Sequence, residues 1–174
     1  MSAIFVPPPE LIVFESEHWR INQRVNAALP GYLMMAPKDP AATSFSTLSP
    51  AALIEMGPVL ARVTRAVEEG LKPERLYVGR YGHMSDHNLH FHLIPVYDWV
   101  ARAFRADVRY RVLQSFYPPG IYTSGQGDEG FDGAEMTLFI WREFAESLTP
   151  PQIEGPTVPE AIQLLRTRLQ NHKA

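Results

Sequence analysis

The sequence predicts an α+β domain, and three observations carry that expectation. Short stretches near 19–22, 32–36, 76–81 and 88–94 are rich in apolar residues and bounded by turn signals, as strands are. Three longer stretches begin with an N-capping residue and keep helical spacing of their apolar positions. The two kinds of element do not alternate in the βαβ manner that builds a parallel sheet. Prolines, 16 among 174 residues, exceed the usual ~5% and sit mostly at the joints between elements.

Taken in order, the chain opens with a short strand or helix near Leu11–Phe14, then a strand at Trp19–Asn22. Leu29–Pro30–Gly31 is a turn signal, and the strand Tyr32–Ala36 after it stops at Pro37. Ser49–Pro50 supplies an N-cap and a first-turn proline for a helix to about Glu69, closed by Gly70. Leu53, Met56, Leu60, Val63 and Val67 line one face of it, and Gly57–Pro58 is expected to kink it. The strands Leu76–Tyr81 and Asn88–Ile94 come next, joined by a polar turn. Beyond Pro95 a helix-like stretch covers about Trp99–Phe116, and a glycine-rich loop covers 118–131. Two capping boxes, Asp132 with Glu135 and Thr157 with Glu160, open two further helices.

Composition excludes several function classes. With no cysteine there is no disulfide framework, thiolate zinc site, iron–sulfur cluster or cysteine nucleophile. A net charge of −3 argues against a nucleic-acid backbone as the main partner. No apolar run approaches the ~20 residues of a membrane span. Met1–Glu10 lacks the charge pattern of a signal peptide, so the expectation is a cytoplasmic protein without membrane attachment. The length suits one domain over 1–174, able to bury a core without staples.

Histidine is the informative count. Of six, four (His83, His87, His90, His92) fall within ten residues. On a strand Asn88–Ile94, Leu89, Phe91 and Leu93 point to one face while Asn88, His90 and His92 point to the other. The two imidazoles would then stand about 7 Å apart on a rigid mount. Surface histidines on an exposed sheet face are the plain alternative, but two at i, i+2 with a polar third and two more upstream favour a site.

The segment Asn88–Leu89–His90–Phe91–His92–Leu93–Ile94 resembles the histidine-triad (HIT) motif, in which three histidines alternate with hydrophobic residues. His90 takes the middle position and His92 the third, while Asn88 stands where the first histidine would be. Ile21–Asn22–Gln23–Arg24 and Leu29–Pro30–Gly31 through Pro37–Lys38 resemble the family's nucleotide-facing Asn, its Pro-Gly turn and the strand ending in Pro-Lys. Leu48–Ser49–Pro50 sits where the family begins its long helix. Two further departures are Pro40 after the Pro-Lys, where many members have histidine, and His83–Met84 in place of the Gln that often precedes the Ser position.

The resemblance implies an antiparallel sheet with a long packed helix over about 11–96 and extra C-terminal helices over about 97–174. It implies hydrolysis at the α-phosphate of a dinucleoside polyphosphate, a nucleoside phosphoramidate or an adenylylated compound. His90 would attack phosphorus and carry a nucleotidyl intermediate, with its other ring nitrogen held by the backbone carbonyl of Asn88. His92 would stabilise phosphate charge, Ser85 would contact the leaving oxygen and Asn22 would meet the ribose. Histidine rather than glutamine at 92 favours hydrolases over nucleotidyltransferases. A homodimer and a cofactor-free, metal-free reaction are implied too. Separately, Arg80 at the end of its strand is a candidate phosphate contact, with a solvated surface arginine the equal alternative.

Competing readings stay open. His90 and His92 with His83, Asp86 or His87 have the ligand types of a divalent-metal hydrolase. Asn88 and Pro40 favour a nucleotide-binding protein without catalysis. Gly125–Gln126–Gly127–Asp128–Glu129–Gly130 spells a dinucleotide fingerprint but follows Pro118–Pro119–Gly120 and carries two acids, so it reads as a loop.

Overall fold

The computed structural model of the chain describes residues 6–81, 88–107, 109–110 and 133–171. Ser85, His83, His87, the glycine-rich loop at 118–131 and Asp132 of the first C-terminal capping box lie outside these. Five strands form one antiparallel sheet: β1 (Ile12–Glu15), β2 (Trp19–Gln23), β3 (Leu33–Pro37), β4 (Arg75–Gly79) and β5 (Phe91–Val96), in the order β1-β2-β3-β5-β4. With the helices α1 (Pro50–Leu71), α2 (Asp98–Ala106), α3 (Gly133–Ile140) and α4 (Val158–Asn171), this is the expected α+β architecture.

Strand pairing divides the sheet cleanly into two faces, because neighbours opposite one another share a face. Ile21, Met35 and Phe91 lie in one row, and Gln23, Leu33, Leu93 and Val78 in another of the same face. On that helix face α1 and α4 cover a core that includes Trp19, Ile21, Leu33, Met35, Val63, Val67, Leu93 and Leu165. Trp19, fully buried, also donates its indole N–H to the Ala52 carbonyl at 2.9 Å, which satisfies its polar end. On the opposite face Tyr32, Ile94 and Val96 build a second core with Val100, Phe104, Met136, Phe139 and Phe144. The C-terminal helices therefore cover part of the face on which the histidines stand.

Local chemistry accounts for the ends of α1. Ser49 accepts the Ala52 N–H at 3.1 Å, and Pro50 occupies the first turn. The helix continues through Pro58 and Gly70 to Leu71, and Lys72 takes the left-handed conformation (φ 51°) in place of the expected glycine cap. Gly70 instead lies against α4: a Cβ there would come 2.5 Å from Leu164 Cδ2, which would have to shift. Thr157 and Glu160 form the expected capping box of α4, with Glu160 Oε2 accepting the Thr157 N–H at 2.8 Å. Arg166 of α4 donates to the carbonyls of Pro9, Glu10 and Ile12, tying the N-terminal segment to this helix.

Two boundaries differ from expectation with clear causes. β5 begins at Phe91, not Asn88, because the last pairs upstream are Met35 with Phe91 and Gly79 with His92. Leu89 instead donates its N–H to the Ala42 carbonyl at 2.8 Å and stays buried in the helix-face core. β5 also runs through Pro95, which lies past the last β3 pair at Leu93, alongside β4 only. α2 covers Asp98–Ala106, the first part of the expected Trp99–Phe116 helix, and residues 111–132 lie outside the described set.

Candidate active site

Three rows of the sheet assemble the site. Asn22, Met34, His92 and Gly79 occupy one row of the face opposite α1. One row away on the same face are Arg24, whose N–H bonds the Tyr32 carbonyl at 2.7 Å, and Tyr32 itself. His90 precedes β5 on the other side of His92, and the two rings lie 5.3 Å apart between centroids. That is closer than the spacing expected along an extended strand, consistent with residues 88–90 lying outside the ladder.

The protonation pattern of His90 follows from its partner. Its Nδ1 lies 3.0 Å from the Asn88 carbonyl oxygen. A carbonyl only accepts, so Nδ1 carries a proton, and the lone pair of the neutral ring is the one on Nε2. The Asn88 side chain is turned elsewhere, donating to the Pro37 carbonyl at 3.2 Å. It fastens the segment to the end of β3, and the contact to His90 is made by backbone alone.

His92 is in a different environment, only 3% exposed. Tyr32 Oη meets its Nδ1 at 2.9 Å, Tyr81 packs edge-on at 5.3 Å, and Trp141 stacks on it at 5.8 Å with an interplanar angle of 24°. Burial first, then the nearby His90 and Arg24, pull its pKa down to about 3, so the ring is neutral at physiological pH. Burial also pushes the Tyr32 phenol up to about 12, so it keeps its proton. A phenol can donate or accept, and in the tautomer in which it donates to Nδ1 the His92 proton resides on Nε2.

The remaining residues singled out in the sequence are placed differently. Asn22 shares the His92 row two strands away, is 5% exposed, and donates its Nδ2 to the Gln23 carbonyl at 2.7 Å. Arg80 follows Gly79, and its guanidinium donates to the Thr43 carbonyl at 3.4 Å. Ser85 lies outside the described residues.

Sequence reasoning missed Tyr32 and Trp141, which pack on His92 together with Tyr81, and Arg24, which lies against Tyr32 and Trp141. Strand alternation carried through Asn22 to Arg24 would have found the arginine, and the residue after Pro30–Gly31 is the tyrosine. Trp141 had no sequence signal. It heads a π-helical turn, Trp141–Glu146, that continues α3 and directs the indole over the sheet, where its Nε1 bonds Glu146 Oε1.

Among the described residues no group of three or more His, Asp or Glu is arranged to hold a metal ion. His83, Asp86 and His87 lie outside them. No helix among the described residues is long and apolar enough to cross a membrane.

Comparison with known proteins matches residues 8–98, just over half of the chain, to the family model described as HIT domain. Three solved structures share the fold. A Zn-bound histidine triad family protein from Mycobacterium smegmatis aligns with TM-score 0.52 at 15% identity, over 94% of this chain and 86% of its own. A hypothetical histidine triad nucleotide-binding protein from Sulfolobus tokodaii strain7 aligns with TM-score 0.50 at 16% identity, over 94% and 85%. A structure described as uridylyltransferase aligns with TM-score 0.56 at 15% identity, over 96% of this chain and 43% of that one. A search of the curated proteins found no match.

Proposed function

The chain belongs to the HIT domain family, and from that premise we propose that it is a nucleotide hydrolase acting at an α-phosphate through a nucleotidyl-His90 intermediate. One observation carries this reading: the Asn88 carbonyl meets His90 Nδ1 at 3.0 Å, which places the ring proton there and makes Nε2 the nucleophilic nitrogen of the neutral ring. The missing first histidine costs nothing in that respect, since the contact is a backbone one.

The chemistry proceeds in two balanced displacements. The Nε2 lone pair of His90 attacks the α-phosphorus, an N–P bond forms, and the P–O or P–N bond to the leaving group breaks with its electron pair leaving on that group. Water then attacks phosphorus and gives up a proton to solvent, the N–P bond breaks with its pair returning to Nε2, and a nucleoside monophosphate departs; the leaving group, an amine above all, takes a proton from solvent. His92 donates from Nε2 to a non-bridging phosphate oxygen, oriented by Tyr32 and Trp141. As a neutral ring it works through a hydrogen bond and geometry, not through a full charge. Ser85 is assigned the leaving-group oxygen and Asn22 the ribose. Dinucleoside polyphosphates, nucleoside phosphoramidates and adenylylated compounds all present the required α-phosphate.

The test is hydrolysis of these three substrate types with and without chelator, in the wild type and in His90→Asn. Chelator-insensitive turnover that His90→Asn abolishes is expected. Turnover that chelator removes would replace this reading with metal-dependent hydrolysis using the histidine cluster. Nucleotide binding without any turnover would make the protein a binding module.

A further inference from the structure

We propose that Arg24 is the cationic phosphate contact of this site, holding the substrate's non-bridging oxygens with its guanidinium. The assignment rests on the nucleotide reading above and adds to it a residue that the triad does not include.

The placement of Arg24 is unusual for a structural arginine. Its guanidinium carbon lies 5.3 Å from the Tyr32 ring centroid and 5.2 Å from that of Trp141. Both of those rings also meet His92, one by hydrogen bond and one by stacking. The guanidinium thus lies against both rings and close enough to His92 to act on its charge. Its Nη1 is buried with no hydrogen-bond partner. Among the described residues no salt bridge includes it.

A buried guanidinium donor left unmatched is costly, and native structures seldom keep one without an acceptor arriving from elsewhere. The rings offset part of this through their faces, but a π-face does not replace a hydrogen-bond acceptor. The matching group is a planar or tetrahedral oxyanion, and a phosphate fits the guanidinium fork. Burial keeps His92 neutral, so that ring brings no positive charge to the site. A phosphate closing on His90 would place negative charge near the Arg24 guanidinium, which lies against two of the rings packed on His92.

The experiment measures binding of AMP and of adenosine by calorimetry to the full chain and to two variants. Arg24→Met keeps a stem of similar length between Tyr32 and Trp141 while removing charge and donors. Arg24→Lys keeps the charge without the fork. Arg24→Met is expected to weaken AMP by ~10-fold or more, as for loss of a charged hydrogen bond, and to leave adenosine unchanged. Arg24→Lys should fall between the two for AMP and also leave adenosine unchanged, and it decides the matter if Arg24→Met does not fold.

Equal loss of AMP and adenosine, or no loss of either, overturns the assignment. Failure of the underlying reading is distinguishable. AMP binding that depends on Arg24 without any adduct on His90 sinks the covalent mechanism and keeps Arg24 as the phosphate contact. An adduct on His90 with AMP affinity unchanged in Arg24→Met does the reverse. A wild-type protein that binds no AMP overturns both.

Discussion

The neutral state of His92 makes a sharp demand on stability. Its folded pKa of about 3 lies far below the ordinary value of 6.5, so between those limits the unfolded chain binds a proton that the folded chain refuses. By linkage, stability must fall as pH drops through 6.5, and this contribution is fully lost only near 3. At about pH 4.5 the unfolded ring is almost wholly protonated and the folded ring almost wholly neutral, which costs about 2–3 kcal/mol. Carboxylates and other histidines titrate as well, so the quantity to read is a difference. Urea unfolding, followed by tryptophan fluorescence near neutrality and near pH 4.5, is compared between wild type and His92→Gln. Glutamine can still accept from Tyr32 but does not titrate. The wild type should lose about 2–3 kcal/mol more than the variant over that interval. An equal loss in both proteins would mean that His92 is protonated or open to water in the native state, and the enclosure by Tyr32, Tyr81 and Trp141 would be wrong.

Two other substitutions probe the scaffold and the triad's altered first position. Gly31 has φ +74°, and a Cβ there would lie 2.4 Å from Leu71 Cδ1 and 3.3 Å from Tyr97 Oη. Gly31→Ala combines left-handed strain with overpacking and should cost about 2–4 kcal/mol in denaturant unfolding. Asn88→Ala removes the side-chain bond to Pro37 while keeping the carbonyl that holds His90. Its turnover should drop by about fivefold, the worth of one ordinary hydrogen bond, against complete loss for His90→Asn.

Much of the fold was legible because the physical signals were local. Ser49–Pro50 announced α1 and the Thr157–Glu160 box announced α4, since caps are satisfied within one turn of chain. Alternation at Leu89, Phe91 and Leu93 separated core from site even though residues 88–90 are not in the ladder. The end of β5 was less legible, because how far a strand runs depends on which neighbours persist, and those are distant in sequence. The same holds for the site. His90 and His92 stood out as a pair of unusual residues on one face. Tyr32 and Arg24 are ordinary residues made significant by strand pairing, and Trp141 joins them from 49 residues beyond His92 through the packing of α3. Gly70 shows a related limit: its position near a helix end suggested a cap, while in the fold it lies inside α1 against Leu164 and Arg168 of α4.

The claim on which the account turns is that His90 Nε2 forms a bond to phosphorus. Mixing the protein with an adenylyl donor, quenching within the first turnover and mapping the chain by mass spectrometry tests it directly. An acid-labile AMP adduct on His90, absent from His90→Asn, is the result expected. Turnover of the same donor with no adduct on His90 at any quench time would contradict it.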